Sequence, residues 1–244
     1  MIGYRKNLYC IVEQTASGKD SLVNDIVASD PTHFNTICSY TSRPKRSNEE
    51  NGREHYFLTE KEFNELKFLK KQNIIAYTKI SKDGISGYQY MALIDELEKA
   101  NIYIIDPNGL ENLKENFSNK INIVSFYIYT PLDQREKRAK KRSDFDTNFW
   151  RRVIDESKQF EDFAKNHKYD YIIYNYDNNY NAALSTLYTL LQYEMYKNND
   201  TKPLRTIEES NIEKAVNIDK IRKDLATSSV VENNGMQFTI LKKD

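Results

Sequence analysis

The chain has 244 residues, 36 Lys and Arg against 36 Asp and Glu, and a formal net charge of zero. That length suits one α/β domain with a small appendage, and the even charge balance argues against a general nucleic-acid binder, which draws on a basic surplus. Cys10 and Cys38 lie in apolar surroundings without metal-ligand spacing, which predicts reduced thiols in a cytoplasmic protein, and no apolar run reaches the ~18–20 residues of a membrane span.

In chain order, Leu8 to Val12 is a short apolar run that stops at a polar loop, as a buried strand does. Leu22, Val23, Ile26 and Val27 then share one face of a predicted helix. Thr59-Glu60-Lys61-Glu62 is a capping box, and Phe63, Leu66 and Leu69 form the stripe of the helix it opens. Buried strands are predicted at residues 102–105, 121–129 and 171–174. A long helix is expected over 149–167, with Trp150, Val153, Ile154, Ser157, Phe160 and Ala164 turned inward. A further helix carries Leu184, Leu187, Leu191 and Met195. Strands alternating with helices predict a parallel sheet covered on both faces. Composition shifts at Lys197-Asn198-Asn199-Asp200, so we expect one domain over 1–196 and a C-terminal extension over 197–244. Within the extension, a polar helix is expected over 207–225, and Met236, Phe238 and Ile240 alternate as in a strand.

Between the first strand and helix the chain reads Glu13-Gln14-Thr15-Ala16-Ser17-Gly18-Lys19-Asp20-Ser21. Gly18 and Lys19 match the end of the P-loop pattern G-x-x-x-x-G-K-[ST], in which backbone N–H groups and a helix N-terminus cradle phosphates. This predicts an ATP site made by Thr15, Ala16, Ser17, Gly18, Lys19, Asp20 and Ser21. The Ser21 hydroxyl, one residue late, would serve Mg²⁺. Glu13 stands where the first Gly is expected. A carboxylate about 7 Å from a phosphate charge would cost about 2 kcal/mol at an effective dielectric near 20.

A second basic segment, Ser39-Tyr40-Thr41-Ser42-Arg43-Pro44-Lys45-Arg46, precedes Asn51-Gly52-Arg53-Glu54-His55-Tyr56-Phe57. Two guanidinium forks three residues apart suit a phosphate. These segments resemble the guanylate kinase family, with its S-x-T-[TS]-R-x-x-R and N-G-x-x-Y-x-F patterns. The resemblance covers roughly residues 7 to 195 and implies a P-loop NTPase fold with a monophosphate-binding subregion near 37–98 and a lid near 135–152. It implies that Ser39, Arg43 and Arg46 hold the phosphate of an acceptor nucleoside monophosphate, with either His55 or Tyr56 in the place of the family's Tyr. Tyr90, in Tyr88-Gln89-Tyr90-Met91-Ala92, matches a second phosphate-side Tyr in what the family builds as a turn. Asp106, ahead of Pro107-Asn108-Gly109, would steer magnesium or the acceptor, or is simply a turn residue. Arg135, Arg138, Lys141 and Arg142 resemble the lid, in which Arg138 and Arg142 stabilise the phosphoryl group in transit, joined by Arg151 or Arg152. Asn175 matches an Asn near the adenine.

The family's guanine-reading Glu and hydroxyl correspond to Ala76 and Ala92, and a second acidic position to Ile104, so the phosphate-holding half is better kept than the base-reading half. Two readings compete. One is ATP-dependent phosphoryl transfer to a nucleoside monophosphate, with Lys19 and the lid arginines as catalytic groups and the two anion sites facing a common cleft. The other is an inactive guanylate-kinase-like module that binds a protein partner, with the extension as its contact surface or a route to self-association.

Overall fold

The computed structural model describes residues 6–46, 49–82, 86–141, 147–197, 231–233 and 236–238, with side chains described through residue 197 outside 80–86 and 147–148. The chain forms two compact units, one of Met1–Glu13 with Val23–Ser125, the other of Gln14–Leu22 with Phe126–Asp244.

In the first unit, β1 (Lys6–Glu13) and β6 (Ile102–Ile104) pair in parallel, Tyr9 opposite Ile102 and Ile11 opposite Ile104. β1 lies between β6 and β7 (Ile121–Tyr129), whose first half belongs to this unit. Leu8 through Val12 are fully buried on both faces, which is why a continuous apolar run rather than an alternating one forms this strand. α3 (Pro107–Phe117) packs Leu110 and Leu113 inward; Asp106 caps it, accepting from the Gly109 N–H at 2.8 Å, with Pro107 in the first turn.

The same unit holds a mixed sheet in the order β3-β2-β5-β4, made of β2 (Ser39–Thr41), β3 (His55–Phe57), β4 (Ile74–Lys82) and β5 (Ser86–Leu93). β2 runs parallel to β3 and antiparallel to β5, with Thr41 opposite both Phe57 and Tyr90. α2 (Glu60–Leu69) opens on the expected capping box and buries Phe63 with Met91 and Leu93 on one face of this sheet. Residues 86–93 are strand, not the turn expected around Tyr88 to Ala92; residues 86–92 pair in unbroken register with β4, and the register shifts before Leu93 meets Ile74.

In the second unit the remaining half of β7 pairs in parallel with β8 (Tyr171–Tyr174), Phe126 opposite Tyr171 and Tyr129 opposite Tyr174. α4 (Leu132–Lys140), α5 (Thr147–Lys165) and α6 (Tyr180–Lys197) complete it. Tyr127 packs edge-on against Phe163 at 5.5 Å and lies 6.0 Å from Phe160, ring centre to ring centre. The buried face of α5 runs through Phe149, Phe160 and Phe163, with Val153 half-buried. Trp150 (42 % exposed) and Ile154 (69 % exposed) therefore face outward, as does Ser157, correcting the inward stripe expected for them. The true stripe is one residue out of phase with the one Trp150 suggests. β9 (Val231–Asn233) and β10 (Met236–Phe238) form an antiparallel pair, as the alternation at Met236 and Phe238 anticipated; Ile240 of the same expected strand lies outside the described residues. The helix expected over 207–225 lies outside the described residues.

Candidate functional site

The loop after β1 and the first turn of α1 (Lys19–Ser29) belong to the second unit. Ala16 at φ 64° and Gly18 at φ 91° place two left-handed residues on either side of Ser17, and the Ser17 N–H closes the turn on the Gln14 carbonyl at 3.2 Å. Backbone of this kind turns successive N–H groups toward one concavity, the geometry of an anion nest. Gly18 is required twice over, since a Cβ there would also meet Asn175 Nδ2 at 2.8 Å.

Ala16 is anchored in a small apolar cluster with Ala139 of α4 and Phe149 of α5, and the Thr15 N–H donates to Glu156 Oε2 at 2.8 Å. Three donors converge on the Ser17 carbonyl: Asn175 Nδ2 at 2.7 Å, Arg138 NH1 at 2.9 Å and Thr130 Oγ1 at 3.1 Å. Ser17 Oγ and Asn175 Oδ1 are buried without a hydrogen-bond partner among the described residues. The Lys19 ammonium lies 3.8 Å from the Asp20 carboxylate, while Asp20 and Ser21 are exposed.

The expected lid arginines have diverse surroundings. Arg138 Nε donates to Asp177 at 2.9 Å and NH2 donates to the Asn175 carbonyl at 2.8 Å, so with Ser17 its guanidinium is already engaged on three sides. Arg135, buried, reaches the Thr15 carbonyl at 3.3 Å. Arg151 and Arg152 are exposed on α5, and Arg142 lies outside the described residues.

The second segment, expected from the sequence to bind an anion, lies in the first unit. Strand alternation puts Ser39 and Thr41 of β2, His55 and Phe57 of β3 and Tyr90 of β5 on one face. Ser39 Oγ and His55 Nδ1 are 2.8 Å apart, and the His55 and Tyr90 ring centres are 5.6 Å apart. The Arg43 guanidinium stands 5.3 Å from the centre of the Phe57 ring. Tyr56 points to the opposite face and stacks on Tyr40 at 4.7 Å, so of the two candidates it is His55 that shares the face with Ser39 and Tyr90. Arg46 is exposed, and Asp106 is engaged as the cap of α3.

Sequence reasoning missed Glu49. Its two oxygens accept from both terminal nitrogens of Arg43, at 2.8 and 2.9 Å, and one also accepts from the Arg46 N–H at 2.7 Å. Arg43 and the Arg46 N–H hold the Glu49 carboxyl down to about 2. Burial, and then Arg43, hold the His55 imidazole below its ordinary range. Glu49 was legible only as one of two adjacent acids in a basic stretch.

A strand, a glycine-lysine phosphate loop and a helix, set in a parallel sheet flanked by helices, define a P-loop protein of the α/β class. The pattern of the guanylate kinase family matches residues 5–194, so the chain belongs to the guanylate kinase family. A guanylate kinase of Paraburkholderia xenovorans is 27 % identical over 193 residues, covering 77 % of this chain and 80 % of that one. One of Haemophilus influenzae is 27 % identical over 194 residues, covering 77 % and 88 %. The crystal structure of guanylate kinase from Anaplasma phagocytophilum shares the fold, with a TM-score of 0.53 at 19 % identity over 86 % of this chain and 95 % of that one. Among the described residues no helix is long and apolar enough to cross a membrane.

Proposed function

We propose that the protein transfers the γ-phosphoryl group of ATP to a nucleoside monophosphate, with GMP among its acceptors. The observation that carries this reading is the family match, which runs through both phosphate-binding segments in order. The curated relatives at 26–31 % identity are named guanylate kinase, which supports GMP as acceptor and an active enzyme over an inactive module.

The donor side rests on the second unit. The N–H groups of residues 16–19 and the Lys19 ammonium would hold the ATP phosphates, and Asn175, beside Gly18, would lie near the adenine. The nest geometry and the two unpartnered buried oxygens, on Ser17 and Asn175, fit a polar ligand at this loop. Ser21, exposed in the first turn of α1, is the group that would face Mg²⁺, which draws charge from the phosphate oxygens. The acceptor side rests on the first unit: Ser39, Arg43, His55 and Tyr90 would grip the monophosphate, with Arg46 beside them. Little covalent help is needed from the protein, because positioning and electrostatic stabilisation supply the rate once donor and acceptor meet. Arg142 and Arg152 would complete the charge around the phosphoryl group. We further propose a cytoplasmic protein in which residues 197–244 form an extension to the catalytic domain.

A coupled assay of ADP release with Mg·ATP and each ribo- and deoxynucleoside monophosphate tests the reading. Turnover with GMP is expected; silence toward every acceptor would refute it.

A further inference from the structure

We propose that His55 makes acceptor binding proton-linked: the imidazole takes up a proton as a phosphate dianion docks between it and Arg43, so affinity for the acceptor falls as the pH rises. The inference rests on the acceptor site assigned above and adds a property of this chain's own residue, because His55 occupies a position at which the family pattern has a Tyr.

The geometry is built for two protonation states. His55 Nδ1 lies 2.8 Å from Ser39 Oγ. A serine hydroxyl can donate to a bare ring nitrogen or accept from a protonated one, so this contact survives the change. An imidazolium then donates from Nδ1 to Ser39 and from Nε2 to a ligand, whereas the phenol of a Tyr offers one donor and titrates far above neutrality. The ring is held edge-on by Phe57 at 5.8 Å and by Tyr90 at 5.6 Å, so a small reorientation does not remove it from the face.

The charges around the ring set the direction. Arg43, from the loop after β2, disfavours a second cation; Glu49 and Glu54 favour one; Ser39 of β2 favours it through a hydrogen bond; the Tyr90 ring of β5 packs beside the imidazole. Burial is the larger influence and Arg43 adds to it, so both favour the neutral imidazole in the free protein. A phosphate dianion reverses the balance beside Arg43. A proton is therefore bound with the ligand, and one such group changes the acceptor Kd by at most about tenfold per pH unit.

The test is calorimetric titration of GMP into the full-length protein near neutral pH, in two buffers of different ionisation heat, for the wild type, His55→Gln and His55→Tyr. The second ionisation of a phosphate monoester lies near pH 6, so GMP is largely dianionic at about pH 7 and above and its own titration is small there. The wild type should take up a substantial fraction of a proton per GMP and bind several-fold more weakly at pH 8 than at pH 7, while both variants take up none. Binding of GMP to the wild type without proton uptake, or equal uptake by His55→Gln, would overturn the inference and leave the kinase reading intact. Absence of any GMP binding to the wild type would overturn both.

Discussion

Replacing Glu49 with Ala isolates the feature of the acceptor segment that the sequence concealed. In the native protein this carboxylate takes both terminal nitrogens of Arg43 and the N–H of Arg46, and the two side chains of the ion pair are only 10 and 11 % exposed. Removing it leaves the Arg43 fork with the Pro44 carbonyl at 2.9 Å, the Tyr90 hydroxyl and the Phe57 face, and strips a largely desolvated cation of its carboxylate. The depression of the Glu49 carboxyl from 4.5 to about 2 sets an upper bound of about 3 kcal/mol, and solvent at the rim brings this to about 2 kcal/mol. For a protein of this size that is a fall in melting temperature of about 4–8 °C. The sign also fixes the pH window. A carboxyl whose pKa is lower in the folded state stabilises above its unfolded value. That stabilisation fades as the pH drops from about 4.5 toward 2. Differential scanning calorimetry of wild type and Glu49→Ala should therefore show a gap at pH 7 that narrows progressively below pH 4.5. A variant melting within about 1 °C of wild type at pH 7, an error-level difference on this scale, would show that the pair is solvated and that Arg43 does not depend on it.

Two further substitutions probe the donor side. Gly18→Ala forces a left-handed φ on a residue with a Cβ, at about 1–2 kcal/mol, and drives that Cβ against Asn175 Nδ2 at 2.8 Å; ATP affinity measured by titration should fall at least about tenfold. Arg138→Ala removes one of the three donors on the Ser17 carbonyl and the ion pair with Asp177. If Arg138 works by holding the loop, the KM for ATP rises about tenfold with a smaller change in kcat; a collapse of kcat at unchanged KM would assign it to the phosphoryl group in transit.

The parts of the fold that could be read directly were those with local causes. Residues 121–129 and 171–174 became strands over the expected spans because both are dominated by β-branched and aromatic side chains, which suit a pleated, packed surface. Thr59 and Glu62 announce a helix start whatever surrounds them. The second sheet was not visible, because β2 and β3 are three-residue strands rich in polar side chains whose pairing depends on partners far along the chain. Motif spacing brought Ser39, Arg43 and Tyr90 to attention, yet left His55 and Tyr56 indistinguishable; the β2–β3 register, which no local pattern encodes, separated them. For Arg138 the sequence showed only a place on a basic helix face; its tertiary contacts with Ser17 and the Asn175 carbonyl, made across long stretches of chain, had no local signal.

Phosphorus NMR of the protein mixed with Mg·ATP and GMP follows the transferred atom itself. Loss of the GMP and γ-phosphate resonances with matching growth of GDP and ADP signals is the predicted result. An unchanged GMP resonance, with ATP intact or merely hydrolysed to ADP and free phosphate, would contradict it.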